Sequence, residues 1–90
     1  MTEQKQQTLI NFKKTQTLLS KIIEMTENNQ YCIDIMQQNL AAIGLLRSAH
    51  RKLMENHLNT CFKNAVDSSS NRHQKQMIEE ILKVTKFYNK

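Results

Sequence analysis

An all-α fold of three helices, one much longer than the others, follows from three observations on these 90 residues. Proline is absent and glycine occurs once, at Gly44, so little interrupts a helix. Apolar residues recur at three- and four-residue steps over long windows, as one face of a helix requires. Aromatic residues are few and tryptophan is absent. A β-sandwich or barrel would want more β-branched and aromatic residues and more turn glycines.

The first helix is predicted from about Glu3 to Thr26, with Leu9, Ile10, Phe12, Leu18, Leu19, Ile22, Ile23 and Met25 as one buried stripe. Glu27-Asn28-Asn29-Gln30 breaks that pattern, and two adjacent asparagines suit a helix C-terminus and turn. The second helix is long, from about Tyr31 to Val66. Its stripe is Ile33, Met36, Leu40, Ile43, Leu46, Ala49, Leu53, Leu58, Phe62 and Ala65, with Arg47, His50, Arg51 and Asn56 interrupting the other side. Gly44 lies mid-helix, where it costs about 1 kcal/mol relative to alanine, and a close helix–helix approach would rationalise it. Asp67-Ser68-Ser69-Ser70-Asn71 reads as a loop, with Ser70 or Asn71 able to cap the next helix. The third helix is expected from about Arg72 to Phe87, with Met77, Ile78, Ile81, Leu82, Val84 and Phe87 inward. No internal repeat is present.

The length holds one domain, residues 1–90, with a thin core that such short helical chains often complete by oligomerising. The formal net charge is +5, which permits nucleic acid, anionic lipid or acidic protein as a partner and is multiplied fourfold in a tetramer. No apolar run approaches the roughly 20 residues of a membrane span, and Met1 to Gln7 is polar, without a signal-peptide core. The expectation is a cytoplasmic protein with no membrane partner. Two cysteines in a reducing compartment point to metal binding, redox sensing or burial rather than a structural disulfide.

His57 and Cys61 carry the chemistry. Four residues apart on a helix, they lie one above the other, so imidazole nitrogen and thiolate sulfur can converge on one ion. Thiolates select soft ions such as Cu(I) or Zn(II) over Mg(II) or Ca(II). A third ligand must come from elsewhere, and Cys32 is the candidate. It stands 25 residues before His57, roughly 37 Å along a continuous helix at 1.5 Å per residue. Within one subunit the two cannot meet on such a helix. A second subunit with its long helix antiparallel, and a two-fold axis near Gly44 and Leu45, would bring Cys32 to the other copy's His57 and Cys61 and make two equivalent sites. Against this stands the bland alternative that free cysteines are usually inert packing. Met36 and Met54 read as core filler, and His50 and His73 as surface residues. No enzyme is expected: a Cys–His hydrolase needs a shaped pocket and an oxyanion hole, which a three-helix chain almost without glycine does not offer.

These residues resemble the CsoR/RcnR metal-sensing repressors. Tyr31-Cys32-Ile33-Asp34-Ile35-Met36-Gln37-Gln38 is similar to the stretch around that family's first cysteine, and Asn56-His57-Leu58-Asn59-Thr60-Cys61-Phe62 to its second metal-binding segment. The resemblance runs from about Leu9 to Phe87. It implies a three-helix protomer with a long central helix, an antiparallel dimer forming a four-helix bundle, and a disc-like tetramer, a dimer of dimers. It implies a trigonal Cu(I) site of Cys32 with the partner's His57 and Cys61, and operator DNA bound without metal and released with it. Tyr31 and Glu80 match outer positions that connect the metal-bound histidine to the third helix. A ligand histidine usually hands its other ring nitrogen to such a partner, which orients it.

Ligand identity favours the copper branch of this family. Nickel and cobalt sensors add an N-terminal histidine and carry histidine in place of the second cysteine. Met1-Thr2-Glu3-Gln4 offers no histidine, and position 61 is cysteine. Formaldehyde-sensing relatives typically have proline where this chain has Thr2, and persulfide sensors lack the histidine. The family's first helix usually carries an Arg-Gly-Gln type motif, where this chain reads Gln16-Thr17-Leu18. Asn11 and Ser48 stand where arginine is common. Lys13, Lys14, Arg47, Arg51 and Lys52 remain as candidate DNA contacts, with Lys5 and Lys21 beside them. Lysine neutralises phosphate but lacks arginine's bidentate fork. Two other readings therefore stay open: a thiol or persulfide sensor using Cys32 and Cys61, with His57 tuning the thiolate, and a family member with weakened or lost DNA binding.

Overall fold

The structure is a computed structural model that describes residues 1–67 and 71–89, apart from the side chain of Ala65. It is all-helical over the described residues: α1 (Glu3–Glu27), α2 (Cys32–His57), a π-helical turn (Leu58–Phe62), α3 (Lys63–Asp67) and α4 (Asn71–Tyr88). The long second helix of the sequence reading corresponds to α2, the π turn and α3 in succession. The backbone is right-handed α at both junction residues, with φ/ψ of −62°/−44° at His57 and −58°/−44° at Lys63. Asp67 and Asn71 are helical rather than loop, so Asn71 is not a cap. Ser68, Ser69 and Ser70 lie outside the described residues. The chain divides into two compact units, Met1–Asn56 and His57–Lys90.

In the first unit α1 starts at Thr2, whose Oγ1 accepts from the Lys5 N–H at 3.2 Å, satisfying one free donor of the first turn. It ends in a double-bonded cap. The Gln30 N–H reaches the Met25 carbonyl at 3.0 Å and the Asn29 N–H reaches the Thr26 carbonyl at 3.1 Å. Asn29 sits at φ 53°, a left-handed conformation that asparagine tolerates better than most residues. The adjacent asparagines thus stop α1 as the sequence predicts. α2 begins as the Asp34 and Ile35 N–H groups bond the Tyr31 carbonyl.

Two hydrogen bonds fix α1 antiparallel to α2. Thr2 Oγ1 donates to Asn56 Oδ1 at 2.6 Å, and Asn11 Nδ2 donates to the Leu45 carbonyl at 3.3 Å. One seam of buried and half-buried residues runs at alternating four- and three-residue steps, through Gln4, Thr8, Asn11, Thr15, Leu18, Ile22 and Met25 on α1 and Ile35, Gln38, Ala42, Leu45, Ala49, Lys52 and Asn56 on α2. That spacing keeps one seam in register along two antiparallel helices. The seam is small and polar. Ala49 is fully buried, while Thr8, Asn11 and Thr15 are buried with it. The Thr8 and Thr15 hydroxyls turn back on α1, bonding the Gln4 and Asn11 carbonyls at 2.7 and 2.8 Å. That leaves the γ-methyls as packing groups at no polar cost.

This corrects the apolar stripes expected from periodicity. Of the α1 residues read as inward, only Met25 is buried. Leu18 and Ile22 are half-buried, and Leu9, Ile10, Phe12, Leu19 and Ile23 are exposed. On α2, Ala49 is buried, but Ile33, Met36, Leu40, Ile43, Leu46 and Leu53 are exposed, Leu40 at 66%. Met36 is therefore not core filler within the chain, whereas Met54 is half-buried. A Cβ at Gly44 would meet nothing within 4 Å, so no close helix approach occurs there inside the protomer.

In the second unit the π turn packs with α3, and α3 with α4. Gln74 Nε2 donates to the Val66 carbonyl at 3.0 Å. Leu58 is exposed and Phe62 half-buried. Of the α4 residues expected inward, Met77 and Ile81 are half-buried, while Ile78, Leu82, Val84 and Phe87 are exposed. Periodicity locates an apolar face correctly but does not say whether the same chain covers it.

Candidate metal centre

Cys32 is the first residue of α2, at the positive end of that helix. Its thiol is free and exposed, as is that of Cys61. His57 closes α2 and is half-buried. Both sulfurs and the imidazole are thus accessible donors of the soft, thiolate-rich kind that suits Cu(I).

Cys61 does not sit on an α-helical turn. It lies within the π turn Leu58–Phe62, and the Thr60 hydroxyl donates to its Sγ at 3.6 Å. Sequence reasoning took His57 and Cys61 as one α-helical step and missed this turn, which no local residue pattern announces. A common face for the two side chains is compatible with either kind of turn. Four residues slightly exceed one α turn, and they fall slightly short of one i→i+5 turn. π turns inside helices are frequent at functional sites.

Tyr31 is exposed immediately before Cys32, and its carbonyl receives the first-turn N–H groups of α2. Glu80 is exposed on α4 and accepts from Gln76 Nε2 at 3.4 Å. Among the described residues, no three His, Cys, Asp or Glu side chains gather within the single chain.

Lys13, Lys14, Arg47 and Arg51 are exposed. Lys52 is half-buried because it falls on the seam against α1. His73 is exposed as expected, but His50 is half-buried. Asn11 is buried at 8% exposure on the Leu45 carbonyl, so its side chain is committed to the α1–α2 seam. No described helix is long and apolar enough to cross a membrane.

Cys32 belongs to a second periodic series on α2. Cys32, Met36, Asn39, Ile43, Leu46, His50, Leu53 and His57 alternate by four and three residues, on a face roughly 100° round from the seam with α1. Every one of them is exposed or half-buried.

Comparison with known proteins identifies relatives that sense copper. The chain is similar to the copper-sensing transcriptional repressor CsoR of Mycobacterium tuberculosis, at 36% identity over 87 residues, which is 97% of this chain and 71% of that protein. It is 30% identical over 88 residues to CsoR of Bacillus subtilis, covering 98% of this chain and 84% of that one. Similarity extends to the copper-sensing transcriptional repressor RicR of Mycobacterium tuberculosis, at 32% over 65 residues, 72% of this chain and 68% of the relative. These relatives are repressors, not enzymes. The family model described as metal-sensitive transcriptional repressor matches residues 4–86, and the chain belongs to that family.

Proposed function

We propose that this protein is a copper-responsive repressor that binds operator DNA without metal and releases it on binding Cu(I). The site takes Cys32 from one subunit and His57 and Cys61 from its partner. One observation carries the reading. The exposed series on α2 is self-complementary about the point between Gly44 and Leu45, so an antiparallel second copy pairs Cys32 with His57. The exposed faces of α1 and α4 offer further apolar surface for a tetramer, a dimer of dimers.

Residues 1–90 act in this reading as one metal-sensing, DNA-binding domain in the cytoplasm. His57 binds metal through one ring nitrogen and passes the other to an outer network in which Tyr31 and Glu80 take part. Lys13, Lys14, Arg47, Arg51 and Lys52 neutralise phosphate, and assembly multiplies the +5 of each chain. Metal weakens DNA binding to the extent that the two ligands prefer different states of the assembly, and DNA weakens metal binding by the same factor.

An anaerobic Cu(I) titration of reduced protein against a competing chelator tests the site. Tight binding of one ion per protomer, lost in Cys32→Ala and in His57→Ala, is expected. In a gel-shift assay with the DNA upstream of its own gene, copper should release the wild type but not Cys32→Ala. Release of Cys32→Ala by copper would overturn the mechanism. The free, exposed state of both thiols favours a second reading, a sensor of reactive sulfur. Persulfide treatment followed by mass spectrometry separates the two, since unmodified cysteines would remove it.

A further inference from the structure

We infer that Asn39 and His50 form a cross-subunit polar pair that sets the register of the antiparallel α2 seam and thereby delivers Cys32 to the partner's metal ligands. The inference rests on the dimer proposed above.

The pairing follows from position and chemistry. In the exposed series of α2, four pairs stand at equal distances from the point between Gly44 and Leu45: Ile43 with Leu46, Asn39 with His50, Met36 with Leu53, and Cys32 with His57. A two-fold axis at that point places each residue opposite its mate in the other copy. The mates are sorted by kind. Apolar meets apolar in two layers, amide meets imidazole in one, and thiol meets imidazole at the end. Met36 is 56% exposed and Leu46 45%, so these layers hold surface for a partner to cover. Asn39 is exposed and His50 half-buried on the same face.

Other registers spoil the sorting. Antiparallel seams with this spacing can slip by one heptad, about 10 Å along the helix. A slip one way sets Asn39 against Ile43 and brings Cys32 to His50 in place of His57. The opposite slip sets His50 against Leu46. Either separates the two polar side chains and sets one of them against an apolar side chain in the covered seam. An all-apolar stripe would not discriminate among these registers, because Met, Ile and Leu exchange places at little cost. One polar pair in an apolar seam specifies register, as buried asparagine does in coiled coils. Asn39 and His50 are therefore positioning residues for the metal site, acting through the seam.

The test compares wild type with the apolar double variant Asn39→Leu/His50→Leu and the reciprocal swap Asn39→His/His50→Asn, which keeps the pair. Sedimentation gives the assembly. A short bis-maleimide crosslink on reduced protein, mapped by mass spectrometry, gives the register. Wild type and swap should yield one intersubunit peptide pair, Cys32 with Cys61. The double variant should stay assembled, yield less of the Cys32–Cys61 pair, and bind Cu(I) about tenfold or more weakly, the scale on which misplaced outer partners act. A double variant that keeps the single crosslink and the wild-type Cu(I) affinity would overturn the pair while leaving the dimer intact. So would a swap as disordered in register as the double variant. If the double variant does not fold, the swap decides: retention of the crosslink and of Cu(I) affinity upholds the pair. A wild type that is monomeric at every concentration would overturn the dimer itself.

Discussion

Removing the hydroxyl of Thr2 should cost more than an exposed N-terminal residue normally does. That oxygen accepts the Lys5 N–H at 3.2 Å as the cap of α1 and donates to Asn56 Oδ1 at 2.6 Å. Thr2→Val keeps the side-chain volume and removes both bonds. Loss of the cap costs about 1 kcal/mol. Loss of the second bond costs about 1 kcal/mol net, and more if water cannot replace the donor at Asn56, which is only 6% exposed. The combined loss of about 2 kcal/mol corresponds to roughly 10 °C in Tm for a chain of this size. Urea and thermal denaturation at one fixed protein concentration measure it, since the assembly proposed above would make the midpoint depend on concentration. Thr2→Ser retains both bonds and should stay close to wild type. In an Asn56→Ala background, Thr2→Val should cost only the capping part. A Thr2→Val protein within about 0.5 kcal/mol of wild type, or a Thr2→Ser protein as unstable as Thr2→Val, would refute this account of the first turn.

Asn11→Leu should stabilise the α1–α2 hairpin by about 1 kcal/mol, because a long 3.3 Å bond is exchanged for apolar burial and the Leu45 carbonyl keeps its helical partner; chemical denaturation checks the sign, and a clear loss would show the bond to matter more than the area. Asn29→Gly should be neutral or slightly stabilising and Asn29→Val destabilising by about 1 kcal/mol, since φ at this residue is 53°; the same denaturation series reads both. Leu46→Glu should shift the protein toward monomer in sedimentation and weaken Cu(I) binding in parallel. The residue is 45% exposed in the chain, so the folded hairpin should survive by circular dichroism.

Much of the architecture was legible in the sequence. The scarcity of glycine and proline left helix as the default, and Asn28-Asn29 marked the end of α1 to within a residue. The periodic apolar residues were real faces but were assigned to the wrong interior. Leu, Ile and Phe draw the eye to one stripe, while Thr8, Asn11, Thr15, Ala42 and Ala49 make the seam that the chain closes on itself. Threonine can occupy such a seam because its hydroxyl is satisfied on its own helix, which polarity alone does not reveal. At the candidate site, Cys32, His57 and Cys61 stand out by residue type and spacing. The π turn was not, because an i→i+5 bond set depends on how the backbone settles around Leu58–Phe62 rather than on a marker residue.

The placement of small residues inside and large apolar ones outside leaves the stability of this fold dependent on what covers its outer faces. A hairpin closed by threonine, asparagine and alanine draws little free energy from its own burial. The larger share is available only when Leu40, Met36, Leu46 and their counterparts on α1 and α4 are covered by another surface. In the assembly proposed above, association would add to the stability of the hairpin, and the thermal midpoint would rise with protein concentration by mass action. In that assembly, dilution would leave the folded monomer with a smaller margin against unfolding and proteolysis.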